Sequence, residues 1–285
     1  MKRCTVTITT DALNSENNPA QPPSVDTPED ASPIVLRLAE TPEEILAAQR
    51  LRYKIFYEEF DIFPPEQVSA AGRDFDEYDP YADHLIVIDE SIEDPDHKIV
   101  GTYRLFRREK MPADMPFYST QEFDITPLIQ NGGKLLELGR SCVLPEYRTK
   151  YVMQKLWQGI AEYLSVHNID LMFGCASFQE RDPHNIVDQL AYLHHYHTPP
   201  EELCASARPD CTLDLDFKSK EELDARRVFS DLPPLIKGYL RLGAYIGRGA
   251  FADKNLHCID VCIVLPTEKV TGKYKKHYDR KNSKK

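Results

Sequence analysis

A glutamate and an arginine lie three residues apart inside an otherwise apolar segment, LLELGRSCVLP, which has the pattern of a β-strand. Glu137 can serve as a general base, and Arg140 can compensate negative charge. Residues three apart on a regular strand face opposite sides of the sheet, so the two side chains share a face only if the strand is bulged. Gly139 is the position that tolerates a bulge. The pattern predicts a reaction centre at a kinked strand, and a self-neutralising buried ion pair is the alternative.

A second polar group combines an acidic loop with an arginine on a strand. The loop RDFDEYDPYAD contains Asp74, Asp76, Asp79 and Asp83, and Arg104 lies in the apolar segment GTYRLF. Carboxylates can balance an ammonium group, and a planar guanidinium can bind a carboxylate through two hydrogen bonds. A solvated acidic loop and a surface arginine are the simpler interpretations.

Two other groups of polar residues give weaker indications of a functional site. The histidines of HHYH have no cysteine or carboxylate at ligand spacing, so we expect a surface cluster and no metal site. Cys175 and Ser177, in LMFGCASF, have no histidine and aspartate partners for a catalytic triad. We expect these two residues in the core or beside a bound substrate.

The elements that must position these residues alternate between strands and helices. PIVLRLAE, DHLIVID, KIVGTYRLF, KLLELGRSCVLP, LMFGCASF and HCIDVCIVLP are predicted strands, and LMFGCASF is apolar enough to be central. Helices are predicted at TPEEILAAQRLRYKIFYEEF, where Thr41, Pro42 and Glu44 form the start and a capping box, at KYVMQKLWQGIAEYLSVHN and around HNIVDQLAYLHHYH. The order predicts an α/β (α+β) fold with a single mixed, mostly antiparallel sheet and helices on both faces.

Composition limits the classes of protein that remain. The net charge of -11 over 285 residues argues against non-specific nucleic-acid binding, and no apolar run approaches the roughly 18 residues of a membrane span. Seven scattered cysteines fit a reducing compartment, and the start of the chain does not have the pattern of a signal peptide. We therefore expect a cytoplasmic location, with a peripheral position on the inner membrane as a second option.

The two ends of the chain differ from the rest. Residues 1–32 are rich in Pro, Ser, Asn and Asp, which predicts a disordered segment before a domain at residues 33–265. The predicted tail, residues 266–285, is basic: from Thr267 onward, eight Lys or Arg stand against Glu268 and Asp279, a local charge of +6. Such a tail can contact anionic lipid, and a plain disordered tail is the alternative.

The order of elements resembles the GNAT acyltransferase fold, which has a splayed, bulged fourth strand. Six segments resemble the branch of that superfamily that uses acyl carrier protein: LRYKIF, DFDEYDPYADHLIV, IVGTYRLF, ELGRSCV, YRTKYVMQKLWQGIAEYL and LMFGCASF. This branch includes acyl-homoserine lactone synthases and ornithine-lipid N-acyltransferases. The chain is most similar to the ornithine Nα-acyltransferases, over most of residues 33–265.

The resemblance implies that a (3-hydroxy)acyl chain is transferred from acyl carrier protein to the α-amine of L-ornithine, the first step of ornithine-lipid synthesis. No permanently bound cofactor is implied. Glu137 would be the base that takes a proton from the amine, and Arg140 and Gly139 would belong to the bulge, where a backbone N–H polarises the acyl carbonyl.

The resemblance also implies which residues bind the two substrates. Asp76, Asp79, Asp83 and Arg104 would contact the amino-acid acceptor. The residues expected at the acyl donor and its pantetheine arm are Val143, Arg148, Lys150, Cys175 and Ser177. A basic surface for an acidic carrier protein would comprise Arg104, Arg107, Arg108, Lys110, Arg148, Lys150 and Lys155.

One segment departs from the usual GNAT pattern. The common phosphate loop has two spaced glycines whose amides hold the pyrophosphate of coenzyme A, whereas RTKYVM contains no glycine. This favours a carrier protein as donor, because a phosphopantetheine arm brings a single phosphodiester. Two alternatives stay open: an acyl-homoserine lactone synthase that uses acyl carrier protein and S-adenosylmethionine, and a GNAT-like binding module without activity.

Overall fold

The computed structural model describes residues 33–209, 213 and 218–270, so the predicted disordered segment 1–32 and most of the predicted tail lie outside the described residues. The described residues include the first part of the predicted tail, up to residue 270. Thr267 donates a hydrogen bond from its hydroxyl to the carbonyl of Ile169, and Val270 is buried in the core. No described helix is long and apolar enough to cross a membrane.

The six predicted strands and three predicted helices occur in the predicted order, and the described residues add four short strands and four α-helices to them. The strands are β1 (Ile34–Leu38), β2 (Asp83–Asp89), β3 (Ile99–Arg107), β4 (Phe123–Asp124), β5 (Leu135–Val143), β6 (Leu171–Phe178), β7 (Ser206–Ala207), β8 (Tyr245–Ile246), β9 (Phe251–Asp253) and β10 (Cys258–Pro266). The helices are α1 (Pro42–Tyr53), α2 (Glu66–Ala71), α3 (Thr126–Gln130), α4 (Lys150–His167), α5 (Val187–His197), α6 (Ala225–Asp231) and α7 (Pro234–Leu242).

The main sheet has the order β1-β2-β3-β5-β6-β10-β8, with β9 also paired to β10, while β4 and β7 form a separate small pair. Its neighbours are antiparallel except for β5 and β6, which run parallel. The predicted mixed, mostly antiparallel sheet is therefore confirmed. β6 lies inside the sheet, as its apolar sequence predicts.

Helices cover both faces of this sheet. Tyr103 of β3 shares a hydrogen bond of 2.6 Å with the hydroxyl of Tyr239 in α7, and Trp157 of α4 packs on the same tyrosine ring. The next residue, Arg104, must point to the opposite face because side chains alternate along a strand. On that face it contacts Asp79, which also binds Arg52 of α1.

The first helix departs from the prediction at both of its ends. Thr41 accepts a hydrogen bond from the amide of Glu44, as predicted, but the Glu44 carboxylate accepts from the amide of Glu40 and pairs with Arg37 instead of closing a capping box. The last predicted turns form a π-helical segment, Lys54–Glu59. Such segments are frequent at functional sites, and this one carries Ile55 to the cleft described below.

The parallel pairing of β5 and β6 is short. It covers Leu135, Leu136 and Glu137 on β5, after which the strands diverge. The first residues after this pairing still lie very close together, and this requires a glycine, because a Cβ atom added at Gly174 would lie 2.1 Å from the carbonyl oxygen of Leu138.

We expect Gly174→Ala to lower the free energy of unfolding by roughly 1–3 kcal/mol, because backbone atoms at the divergence must move. Urea unfolding measures this change. Gly139→Ala is the matched control, since a Cβ atom at Gly139 meets nothing within 4 Å. Equal stability of the two variants would contradict the proposed close-packing requirement.

Candidate functional site

The diverging strands β5 and β6 open a cleft of about 400 Å³. Residues 138–143 of β5 form one wall and residues 175–177 of β6 form the other. Phe56, Phe60 and Leu256 make part of the lining apolar, and Pro234 and Leu235 contribute the start of α7. The cleft therefore offers an apolar region beside a set of polar side chains, as small-molecule sites commonly do.

The predicted bulge in β5 is confirmed. Arg104 pairs with Gly139 and Thr102 pairs with Cys142, so two steps along β3 match three steps along β5. The residue in the left-handed conformation is Arg140, with φ of 51°, and not the neighbouring Gly139. A non-glycine residue with such a φ costs on the order of 1–3 kcal/mol and is typical of functional sites. The bulge brings Arg140 into the cleft beside Glu137.

Glu137 and Arg140 line the same cleft but do not form an ion pair with each other. The Glu137 carboxylate accepts hydrogen bonds from the amides of Tyr118 and Ser119, at 2.8 and 2.6 Å, and from the Ser119 hydroxyl at 2.5 Å. Burial raises the pKa of Glu137, and these hydrogen bonds oppose the rise. The alternative of a self-neutralising pair is therefore wrong for these two residues.

Arg140 instead faces the acidic loop and an aromatic ring. Its Nε and Nη2 atoms lie 3.4 Å from Asp74 and 3.5 Å from Asp76, and its guanidinium stands 4.9 Å from the centre of the Tyr118 ring. Burial opposes the charge of Arg140, but Tyr118 and the two aspartates outweigh it and raise its pKa. The cation is thus held permanently in the cleft.

Two further buried arginines bind the same loop. Arg52 donates to Asp74 at 2.7 Å and to Asp79 at 2.8 Å, and Arg104 donates to Asp76 at 2.7 Å and to Asp79 at 3.2 Å. Burial disfavours ionisation of Asp79, but Arg52 and Arg104 overcome this and lower its pKa. The three arginines and three aspartates form one charge network, which we call the Arg–Asp network; Arg52, Arg104, Asp74 and Asp79 are buried, and Arg140 and Asp76 are partly buried.

The Arg–Asp network changes the role expected for the acidic loop. Of its six members, only Arg104 and Arg140 line the cleft, whereas Asp76 and Asp79 lie behind them. The aspartate charges are already balanced by arginines, so the predicted direct contact of Asp76 and Asp79 with an acceptor is replaced by support of the two arginines. The interpretation as a solvated loop is also wrong, because Asp74 and Asp79 are buried.

Asp83 and Lys150, both predicted to contact substrates, lie away from the cleft. Asp83 binds Tyr163 at 2.6 Å and Lys110 at 2.6 Å, next to Arg107. Because Asp83 pairs across the sheet with Leu105, it points away from the face that carries Arg104. Lys150 is the exposed first residue of α4. These two assignments are corrected by the geometry.

The predicted donor residues Val143, Arg148, Cys175 and Ser177 line the cleft. Arg148 is held by two hydrogen bonds of 2.7 Å to the Glu59 carboxylate. The predicted basic surface is not continuous, because Arg104 is buried, Arg107 pairs with Asp83 and Arg108 donates to the carbonyl of Met115. These three arginines make contacts within the protein and do not form a continuous basic surface.

Three acidic residues at the cleft were not predicted from the sequence: Glu122, Asp253 and Asp260. Asp260 carries the same signal as Glu137, an acid inside an apolar strand, and could have been found by that criterion. Glu122 follows a Pro-rich stretch with no regular pattern, so only the fold brings it to the cleft. From the sequence we expect no metal site, and these acidic residues bear on that expectation.

A metal ion would find one candidate set of ligands among the described residues. Oxygen atoms of Asp253 and Asp260 and the Cys258 sulfur lie within 4.8 Å of one another. The thiol of Cys258 donates to Asp260, and burial together with the two carboxylates raises the pKa of this cysteine. A cysteine binds a metal ion as its thiolate, whereas Cys258 here donates a hydrogen bond to Asp260. In this structure the three residues form a hydrogen-bonded group.

The Arg–Asp network predicts a large cost for removing one cation. Arg52→Gln leaves two buried carboxylates short of their partner, and we expect the free energy of unfolding to fall by about 3–5 kcal/mol. The control Arg50→Gln removes an exposed pair with Asp96 from the same helix and should cost less than about 1 kcal/mol. Urea unfolding at pH 7 compares them, and similar costs would contradict a structural role for the network.

Comparison with known proteins places these observations in a family. Residues 51–158 match the acetyltransferase (GNAT) domain. The chain is 45% identical over 245 residues to the L-ornithine N(alpha)-acyltransferase of Agrobacterium fabrum, with 85% of this chain and 84% of the relative covered. It is 40% identical to the L-ornithine N(alpha)-acyltransferase of Rhodobacter capsulatus, with 86% and 95% covered.

Solved structures give a more distant similarity. FeeM, an N-acyl amino acid synthase from uncultured soil microbes, is 11% identical, with a TM-score of 0.47 and coverage of 82% of this chain and 92% of that chain. Sequence identity over most of both chains decides the family, as the resemblance implied: the chain belongs to the L-ornithine N(alpha)-acyltransferases, a family with the GNAT fold.

Proposed function

We propose that this protein transfers a (3-hydroxy)acyl chain from acyl carrier protein to the α-amine of L-ornithine and forms lyso-ornithine lipid. The observation that carries the proposal is a cleft at the bulge of β5 that joins an apolar region to two arginines and a buried glutamate. In the reaction a C–N bond forms as the thioester C–S bond breaks. One proton leaves the amine, and the departing thiolate takes up a proton.

Arg104 and Arg140 are proposed to bind the carboxylate of the acceptor. Both line the cleft, and both are anchored from behind by aspartates of the Arg–Asp network. The Nε atom of Arg104 is buried without a hydrogen-bond partner among the described residues. An unpaired buried donor is costly, and a bound carboxylate would supply the missing acceptor.

Glu137 is proposed as the base. An ionised carboxylate offers about four acceptor positions, and three are filled by Tyr118 and Ser119, so one is left for the amine or for a water molecule. The raised pKa makes Glu137 a stronger base than an exposed glutamate. The backbone at residues 139–141 is proposed to polarise the acyl carbonyl, because the bulge leaves Arg140 and Ser141 without register partners on β3.

The donor is proposed to be a carrier protein rather than coenzyme A. Arg148 and Met153 line the cleft at the start of α4, where the usual phosphate loop has glycines. The Arg148 guanidinium is already neutralised by Glu59, so this end of the cleft offers little charge for a pyrophosphate.

The amphiphilic product would leave toward a membrane, and we propose that the basic residues beyond 270 contact anionic lipid there.

The test is incubation of the purified protein with 3-hydroxyacyl carrier protein and isotope-labelled ornithine, followed by mass spectrometry. We expect Nα-acylornithine, and we expect acyl-coenzyme A to support a much slower reaction. A homoserine lactone formed from S-adenosylmethionine, with no ornithine adduct, would overturn the proposal. Absence of thiol release with any amino acid would indicate a binding module.

Glu137→Gln should reduce kcat by about 10²- to 10⁴-fold, because general-base catalysis contributes about that much. Thermal unfolding of the same sample separates this effect from misfolding, since Gln replaces one acceptor of the Tyr118 and Ser119 hydrogen bonds by a donor. Near-normal turnover in a folded variant would remove Glu137 from the role of base.

Arg104→Lys should raise KM for ornithine by about tenfold, because a lysine ammonium cannot reproduce a planar two-point contact with a carboxylate. KM for the acyl donor should stay within about twofold of the wild-type value, which serves as the internal control. An unchanged KM for ornithine in the folded variant would restrict Arg104 to holding Asp76 and Asp79.

A further inference from the structure

A wall of the cleft is formed by two buried carboxyl groups, Glu122 and Asp260, which we call the acid pair. Their exposed fractions are 5% and 3%. The Oε2 atom of Glu122 is buried without a hydrogen-bond partner among the described residues. Neither residue has a part in the chemistry proposed above, which uses Glu137 and the two arginines.

The surroundings of the acid pair contain more acid than base. Asp253 lies nearby on β9, and Cys175, Ser177 and Cys258 are hydrogen-bonding neighbours. Burial and repulsion by Asp260 raise the pKa of Glu122 to about 9. Burial and repulsion by Asp253 raise the pKa of Asp260 to about 6, against hydrogen bonds from Ser177, Cys258 and Glu122.

Arg140 opposes the shift at Glu122. Its guanidinium, however, is already shared with Asp74 and Asp76 of the Arg–Asp network. The cleft therefore has two buried carboxyl groups whose ionised forms are only weakly compensated, and an arriving cation would stabilise those ionised forms.

We propose that the acid pair binds the side-chain ammonium of a diamino acid acceptor and so determines the preference for a basic amino acid. This inference rests on the proposed function. Arg104 and Arg140 would hold the carboxylate of the acceptor and the acid pair its distal ammonium, which leaves the α-amine to face the thioester. A buried, unpartnered carboxylate oxygen is the acceptor that an ammonium group needs.

Glu122 does not serve as the base for the α-amine. A carboxyl with a pKa of about 9 is protonated at neutral pH and has no site for another proton. An ammonium group, in contrast, lowers the pKa of the carboxyl that receives it. Binding of the acceptor should therefore release a proton from the acid pair, whereas an acceptor with a neutral side chain should release none there.

The experiment compares ornithine with 2-aminopentanoate, which has the same carbon chain but lacks the distal amine. The quantity measured is the ratio of their kcat/KM values in the wild-type protein, Glu122→Gln and Asp260→Asn. Both acceptors use the same carboxylate contact and the same base, so those contributions cancel in the ratio. We expect the ratio to fall at least about tenfold in Glu122→Gln, the effect of one lost charge-assisted hydrogen bond.

Glu162→Gln is the control variant, because it removes a carboxylate from the exposed side of α4, where its partner is Gln158. The ratio should stay unchanged in this variant. An unchanged ratio in both acid-pair variants, or equal use of the two acceptors by the wild-type protein, would overturn the inference and leave the acyltransferase proposal intact. A wild-type protein that acylates neither acceptor would overturn the proposed function itself.

A second measurement needs no variant and covers the case in which both substitutions prevent folding. The ratio in the wild-type protein should rise between pH 6 and pH 9, because the acid pair loses its proton over this range while the distal amine, with a pKa of about 10.4 as in lysine, stays charged. Among the described residues, the other titratable groups that act on the acid pair are Asp253, Cys175, Cys258, Arg140, Tyr118 and Cys262. A ratio independent of pH would overturn the inference.

Discussion

The divergence of β5 from β6 after Glu137 is the constraint on which the site depends. Up to that residue the strands pair in parallel, and the Leu138 carbonyl approaches Gly174 too closely for any other residue. Beyond it the strands separate. The bulge directs the side chain of Arg140 into the opening, where a regular strand would not place it. The fold tolerates this irregular segment because the free-energy cost of one left-handed residue is small compared with the stabilisation from the buried apolar core.

In the Arg–Asp network, aspartates of a short loop hold two arginines in place at the wall of the cleft. Desolvating six charged groups is unfavourable, and only their mutual contacts make it tolerable. Their placement has a consequence for binding: the aspartates fix Arg104 and Arg140 from behind, so the guanidinium groups are oriented before any ligand arrives. Preorganised donors of this kind lose little entropy when they bind a carboxylate.

The cleft holds carboxyl groups in two different environments. Glu137 accepts hydrogen bonds from the amides of Tyr118 and Ser119, which oppose the effect of burial on its pKa, whereas Glu122 and Asp260 lie next to further acidic groups that raise their pKa values. Groups of one chemical type can thus have separate roles because burial and neighbours shift their pKa values differently. Together with the arginines they give the cleft both cationic and acidic side chains, the combination needed by the proposed acceptor, a zwitterion with an additional ammonium group.

Local pattern determined much of this protein. Alternation and helical periodicity predicted the six longer strands, three of the helices and the sheet class, but not the short strands β4, β7, β8 and β9. An acid and a base inside one apolar strand predicted the bulge near Gly139. Sequence spacing could not show that Asp76 and Asp79 stand behind the arginines, that Asp83 points away from the cleft, or that Glu122 meets Asp260. Those relations join residues far apart in the chain, and strand register and the path of loops decide them, because electrostatic contacts depend on distances in space rather than on separation along the sequence.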